Sequence, residues 1–187
     1  MSRLVLGLDM DGVILDNTVS KIRVARDLGF NISPNEAQSD VIEGVLPKEV
    51  IDVLRERIYG DTALNLVSPL VKGAQQGLAK IRSLGLECFL ISRRRNPAIA
   101  RAALIKNRLW PDYFNEANSF FVEHAEDKNI KAKELNIGAY LDDQPSVLEK
   151  LNDVPNRFLM DRFDNFGGLT FDHIRVNSWD NFLSHIL

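Results

Sequence analysis

Two aspartates spaced by a single residue, Asp9 and Asp11, interrupt an otherwise apolar N-terminal stretch. Residues 4–8 form an apolar run, Gly12 follows the second acid, and residues 13–15 are apolar again. A continuous apolar run bounded by turn signals reads as a buried strand. Carboxylates at its C-terminal end are costly unless something compensates them. The i, i+2 spacing aims both side chains the same way, toward the crevice where α/β sheets hold ligands. Two like charges that close repel each other, and a divalent cation relieves the repulsion. Hard oxygen donors suit Mg²⁺. The plain alternative is a strand followed by an acidic turn at Asp11-Gly12.

Further polar residues end later apolar runs. Ser92 follows Phe89-Leu90-Ile91, and Asp142 and Asp143 follow Leu141. Lys128 lies 14 residues before Asp142 and precedes the apolar positions Ile130, Leu135 and Ile137. In a parallel sheet the C-terminal strand ends share one edge, so these groups can meet. Carboxylates from two strands would hold Mg²⁺, while a hydroxyl and an ammonium would hold phosphate oxygens. One carboxylate could attack phosphorus to give an aspartyl-phosphate. The other acid of the first pair could serve the leaving alcohol and then the attacking water. Taken singly, each residue has an ordinary reading. Ser92 fits a helix cap, and Lys128 a solvated helix face with Lys131 and Lys133 as rivals. Asp142-Asp143 fits a turn before Pro145. The run Arg93-Arg94-Arg95 opposes the dipole of the helix it precedes, which hints at an anionic partner and puts Arg93 among the phosphate-binding candidates. Its ordinary reading is a solvated charge cluster. His124 is read as a surface residue.

The elements that must position these groups follow from periodicity and punctuation. Residues 17–28 have helical apolar spacing at Val19, Ile22, Val24, Ala25 and Leu28, and Gly29 ends them. Ser33-Pro34-Asn35-Glu36 is a capping-box pattern that predicts a short helix running toward Glu43. Another helix opens near Pro47, with Val50, Ile51, Leu54 and Ile58 on one face. Strands are then expected over 86–91, 119–122, 139–141, 157–160 and 174–176. Helices are expected over 71–84, 97–109, 127–135, 145–151 and 179–186. Strands alternating with helices mean βαβ units, right-handed crossovers and a parallel sheet. The fold class is therefore α/β, a Rossmann-like doubly wound parallel sheet. Residues 1–16 and 69–187 form its core, and 17–68 form a small all-helical insert after the first strand, whose aromatics are Phe30 and Tyr59.

Composition bounds the rest. The chain has 187 residues, 45% hydrophobic and 26% charged, as expected for an ordinary globular protein. A formal net charge of −3 argues against a general nucleic-acid polymer binder. No apolar run approaches a membrane span. Ser2 and Arg3 lead straight into the first strand without a targeting pattern. The single cysteine, Cys88, reads as a buried reduced thiol, consistent with a cytoplasmic protein.

These motifs resemble those of the haloacid-dehalogenase (HAD) superfamily of phosphohydrolases. The matching residues are Asp9-Met10-Asp11-Gly12-Val13, then Ser92, then Lys128, then Leu141-Asp142-Asp143, in the family's order and strand contexts. The resemblance implies Asp9 as nucleophile, Asp11 as general acid/base, and Ser92 and Lys128 as ligands of the transferring phosphoryl group. It implies Mg²⁺ held by the first-motif segment Asp9, Met10 (through its backbone carbonyl) and Asp11 together with the Asp142-Asp143 pair. Asp143 is the favoured direct ligand, with Asp142 supporting it. The insert resembles the family's helical cap, which covers the site and selects substrate. Chain length, the fourth motif, and the segments Arg162-Phe163-Asp164-Asn165 and Val176-Asn177-Ser178-Trp179-Asp180 are similar to the 5′(3′)-deoxyribonucleotidase group. The expected partner is a small phosphorylated metabolite, acted on by a monomer or homodimer. The alternatives are a non-catalytic regulatory protein that binds metal or a phospho-ligand, and a phosphotransferase or mutase.

Overall fold

The computed structural model describes residues 4–60 and 62–187, so the expectation for Ser2 and Arg3 lies outside the described residues. Six strands form one sheet in the order β3-β2-β1-β4-β5-β6, and every pairing is parallel. They are β1 (Val5–Leu8), β2 (Glu87–Arg93), β3 (Ser119–Val122), β4 (Ala139–Asp142), β5 (Asn156–Met160) and β6 (Ile174–Val176). The doubly wound α/β expectation holds. The order places β1 between β2 and β4, so the strands carrying Asp9, Ser92 and Asp142 are neighbours. The chain reverses its direction of growth at β1, the position where such sheets open a crevice.

Helices cover both faces. After β1 come α1 (Thr18–Asp27), α2 (Ile42–Val45), α3 (Lys48–Gly60) and α4 (Thr62–Leu66). Then α5 (Ala74–Ser83), α6 (Pro97–Lys106), α7 (Ala125–Glu134), α8 (Pro145–Leu148) and α9 (Trp179–Ile186) alternate with the later strands. One apolar layer joins Leu6, Leu8, Leu90, Leu141, Phe158 and Trp179, all buried. The layer on the other side gathers Ile91, Ile137, Tyr140, Leu148 and Leu159. The Trp179 indole N–H donates to the Val13 carbonyl at 2.8 Å, pinning α9 to the loop that follows β1.

The helices between β1 and α5 bury a cluster of their own, built on Val24, Ala25, Ile42, Ile51, Leu54 and Ile58. Two expectations change here. The helix foreseen from Pro34 is a series of turns, and helix forms only from Ile42. The capping contact itself is present, with the Ser33 N–H donating to Glu36 Oε2 at 2.8 Å. Asp40, however, adopts φ +64°, a left-handed conformation that cannot continue a helix. Its carboxylate instead accepts from the Ser146 N–H at 2.8 Å and from Gln144 Nε2 at 3.2 Å, which ties the insert to the start of α8. In α1, Val19 is 70% exposed while the charged Lys21 is 8% exposed. Lys21 lies on the stripe that continues through Val24, Ala25 and Leu28, and Val19 lies off it. Among the described residues no helix is long and apolar enough to cross a membrane.

Candidate active site

The first acid sits where β1 stops. The Leu8–Leu141 register puts Asp9 beside Asp142, and the Asp9 N–H donates to the Leu141 carbonyl at 2.9 Å. Lys128, in the first turn of α7, reaches the same point from the face of the sheet. Its Nζ lies 2.7 Å from Asp9 Oδ1 and 2.8 Å from Asp142 Oδ2, and its side chain is 1% exposed. The rivals Lys131 and Lys133 pair on the surface with Glu134 and Asp153. Burial opposes charge on Lys128, but the adjacent carboxylates of Asp142 and Asp9 outweigh it and hold its pKa well above the ordinary lysine value. The remaining oxygens are also engaged: Asp9 Oδ2 accepts the Asp11 N–H at 2.9 Å, and Asp142 Oδ1 accepts the Gln144 N–H at 3.0 Å.

Asp143 completes an acidic cluster. One ligand atom from each of Asp9, Asp142 and Asp143 can be chosen so that all three lie within 4.8 Å of one another, and all three residues are buried. Burial raises the Asp142 carboxyl to about 6, against the pull of Lys128 and with a push from Asp9. Burial likewise raises Asp143 well above the carboxylate range; Lys21 opposes this, and Asp142 and Asp9 add to it. Three acids against the two buried ammonium groups of Lys128 and Lys21 leave excess negative charge in an apolar setting. Three oxygen donors so placed fit a hard divalent cation such as Mg²⁺. Gly12 makes the packing possible. It has φ +77°, and a Cβ there would fall 2.2 Å from Asp143 Oδ2.

Two of the expected metal ligands make other contacts in this structure. The Met10 carbonyl accepts the Ile14 N–H at 2.9 Å and the Leu15 N–H at 2.8 Å, both inside the turn that brings the chain back from β1. The Asp11 carboxylate turns to Arg94 instead, with Nε to Oδ2 at 2.7 Å and Nη2 to Oδ1 at 2.6 Å. The Asn17 amide, at the start of α1, donates to the same Oδ1.

The triple arginine divides accordingly. Arg93 is exposed, lines the mouth of the pocket, and donates to Gln144 Oε1 at 3.0 Å rather than reaching the acids. Arg94 is buried, which corrects the solvated reading for that residue. It packs its guanidinium over the Tyr59 ring at 4.5 Å, and its Nη1 is buried without a hydrogen-bond partner among the described residues. The signal was available: on extended backbone Arg94 shares a side with Ser92, two residues earlier. Ser92 is buried and lines the pocket. His124 is exposed, as read.

The strand ends and the insert together enclose a chamber of about 60 Å³. Asp9, Ser92 and Asp143 line it from the sheet side, and Lys21, Ser39 and Leu54 from the insert side. Lys21 Nζ donates to Ser39 Oγ at 3.2 Å, and the Ser39 hydroxyl hydrogen-bonds Asp143. Burial lowers the Lys21 pKa, countered by the charges of Asp143 and Asp11. Neither Lys21 nor Ser39 is among the residues expected at the site; the stripe position of Lys21 is the signal that marks it.

No known family profile and no curated protein matches the sequence. Solved structures do match. A dehalogenase captured with an intermediate is similar over 100% of this chain and 98% of its own, at 14% identity and TM-score 0.65. A phosphonoacetaldehyde hydrolase-like protein from Oleispira antarctica is similar over 98% of this chain and 91% of its own, at 16% identity and TM-score 0.63. The fold is that of the HAD-type hydrolases. A HAD family hydrolase from Deinococcus radiodurans R1, solved with bound phosphate and sodium, covers 82% of this chain and 79% of its own, at 16% identity and TM-score 0.58. In this HAD-type fold the acids at the β1 and β4 ends occupy the crevice at the topological switch point.

Proposed function

We propose that the protein is a Mg²⁺-dependent phosphatase acting on a small phosphomonoester, with Asp9 as the nucleophile. The observation that carries this reading is the Lys128 ammonium bridging Asp9 and Asp142, with Asp143 alongside. Asp9, Asp142 and Asp143 would hold the ion, which when bound supplies charge stabilisation to a phosphoryl group. Lys128 orients the Asp9 carboxylate and presents positive charge where the phosphoryl oxygens gather. Ser92, lining the same chamber, fits a hydroxyl donor to one of those oxygens.

Asp9 attacks phosphorus to form an aspartyl-phosphate, while the ester P–O bond breaks and the leaving oxygen takes a proton and departs as the alcohol. Water then cleaves the aspartyl-phosphate. Asp11, held beside the nucleophile by Arg94 and Asn17, fits the general acid/base that serves the leaving oxygen and then the attacking water. Two buried acids beyond the nucleophile favour phosphoryl transfer over halide displacement, which has no use for a cation clamp. The insert serves as the cap and selects the substrate. At about 60 Å³ the chamber is far below the few hundred Å³ of a drug-sized pocket, which favours a compact leaving group. Tyr59 spends a ring face on Arg94, and Phe30 packs within the insert, so stacking a nucleobase is the less supported reading. The protein's setting is read as cytoplasmic.

The test is hydrolysis of a panel of small phosphate esters with and without Mg²⁺, followed by acid quench and peptide mass analysis. A phosphoryl adduct on the peptide containing Asp9, lost in Asp9→Asn together with turnover, supports the reading. Wild-type turnover by Asp9→Asn overturns it.

A further inference from the structure

We infer that Ser39, on the insert, is a positioning residue for Asp143, so that the cation site is complete only while the insert rests on the sheet edge. The inference rests on the phosphatase reading above, which makes Asp143 a cation ligand. It starts from a difference among the three acids. Asp9 and Asp142 are held by groups of the core: both accept from Lys128, and each takes the backbone N–H of the residue two positions on. Asp143 is held from the insert. The Ser39 hydroxyl hydrogen-bonds its carboxyl, and the two residues face each other across the chamber. Lys21 fixes the sense of that bond. An ammonium has donors only, so at 3.2 Å from Ser39 Oγ it donates, which leaves the hydroxyl proton for Asp143.

The neighbours of Ser39 in the chain grip the core as well. Gln38 is buried; its Nε2 donates to the Met160 carbonyl at the end of β5 at 3.2 Å, and its Oε1 accepts from Asn165 Nδ2 at 2.7 Å. Asp40 accepts from the Ser146 N–H at 2.8 Å, the Ser146 hydroxyl at 3.0 Å and Gln144 Nε2 at 3.2 Å. Three consecutive residues therefore clasp the loop that carries Asp142 and Asp143, together with the strand end beside it. Gln144 ties the clasp to the acids, since its own N–H donates to Asp142 Oδ1. The backbone bends to make these contacts. Asp40 sits at φ +64°, a conformation that is unfavourable for a residue with a side chain and persists where the surroundings hold it.

The consequence is a linkage between the cation and the insert. A group that orients a metal ligand accounts for about 10- to 100-fold in metal affinity. When the insert lifts, Ser39 leaves and Asp143 is free to rotate, so the clasped state binds the cation more tightly. By reciprocity a bound cation holds the clasp shut by the same factor.

The experiment uses the whole chain with Mg²⁺ alone and no substrate. Calorimetric titration gives the Mg²⁺ dissociation constant of wild type, Ser39→Ala and Ser39→Thr. Hydrogen exchange read by mass spectrometry follows peptides covering residues 36–46. Ser39→Ala should bind Mg²⁺ about tenfold more weakly. Ser39→Thr keeps the hydroxyl and should stay within about threefold of wild type. In the wild type, saturating Mg²⁺ should slow exchange in those peptides about tenfold, and in Ser39→Ala less than about twofold. The wild-type exchange measurement needs no variant, so it decides the case even where Ser39→Ala does not fold. A lower Mg²⁺-free thermal midpoint in Ser39→Ala with an unchanged dissociation constant would mark a merely structural contact and overturn the inference. So would a loss in Ser39→Thr equal to that in Ser39→Ala, or wild-type exchange that bound Mg²⁺ leaves unchanged. A wild type that binds no Mg²⁺ at all would instead remove the cation site of the phosphatase reading itself.

Discussion

Arg94 holds both oxygens of the Asp11 carboxylate, at 2.7 and 2.6 Å, while its guanidinium lies 4.5 Å over the ring of Tyr59. One side chain thus joins the strand end after β2, the acid loop after β1 and helix α3 of the insert. The Arg94 side chain is 2% exposed and that of Asp11 16%, so removing one partner strands a poorly solvated charge. Arg94→Ala should cost about 3 kcal/mol in urea denaturation and lower turnover more than tenfold. Arg94→Lys keeps the charge but not the fork, and should recover only part of the stability.

Gly12→Ala tests the contact between the acid loop and Asp143. The substitution combines a φ of +77° with a Cβ 2.2 Å from Asp143 Oδ2, so the loop or the acid must move. A loss of about 2 kcal/mol or more is expected, with activity falling further than stability because Asp143 is displaced. Thermal midpoint and turnover, measured on the same preparation, check both halves.

Cation binding should be visible without any substrate. Mg²⁺ bound as proposed would offset the repulsion among Asp9, Asp142 and Asp143, and would bind only the folded chain, where the three acids meet. At about a hundred times its dissociation constant it should stabilise by about 2.7 kcal/mol, read as a rise in thermal midpoint. Asp143→Asn should fold and lose most of that rise. A full Mg²⁺ response in Asp143→Asn would remove this residue from the ligand set.

At the base of the insert, Asp16 and Arg162 give a pH dependence with a definite sign. Burial opposes ionisation of Asp16, but the Arg162 hydrogen bonds, at 2.8 and 3.2 Å, and those from Thr18 outweigh it and lower the carboxyl from 3.8 to about 2. The folded pKa lies below the unfolded one. The stabilisation is therefore complete above about pH 4 and is lost as pH falls toward 2. For a pair about one quarter exposed, on the order of 1 kcal/mol is expected. Denaturation curves at pH 6 and pH 3 should differ less for Asp16→Asn than for the wild type.

Much of this protein is legible in the order of its residues. Apolar runs ending in Asp9, Ser92 and Asp142, separated by helical periods, were enough to predict a parallel sheet and the edge where those groups meet, because strand and helix periodicities are local properties. The spacing of Lys128 before Asp142 likewise singled it out from Lys131 and Lys133. What the linear pattern could not decide is how side chains share partners once they converge. The Met10 carbonyl accepts inside the turn, Asp11 pairs with Arg94, and Arg93 stays outside while Arg94 goes in. Helix α1 buries Lys21 and exposes Val19, against hydropathy, because acids and a serine from other segments surround the ammonium. Each of these outcomes is a competition for charge and hydrogen bonds among groups far apart in the chain, and only the tertiary structure sets the distances that settle it.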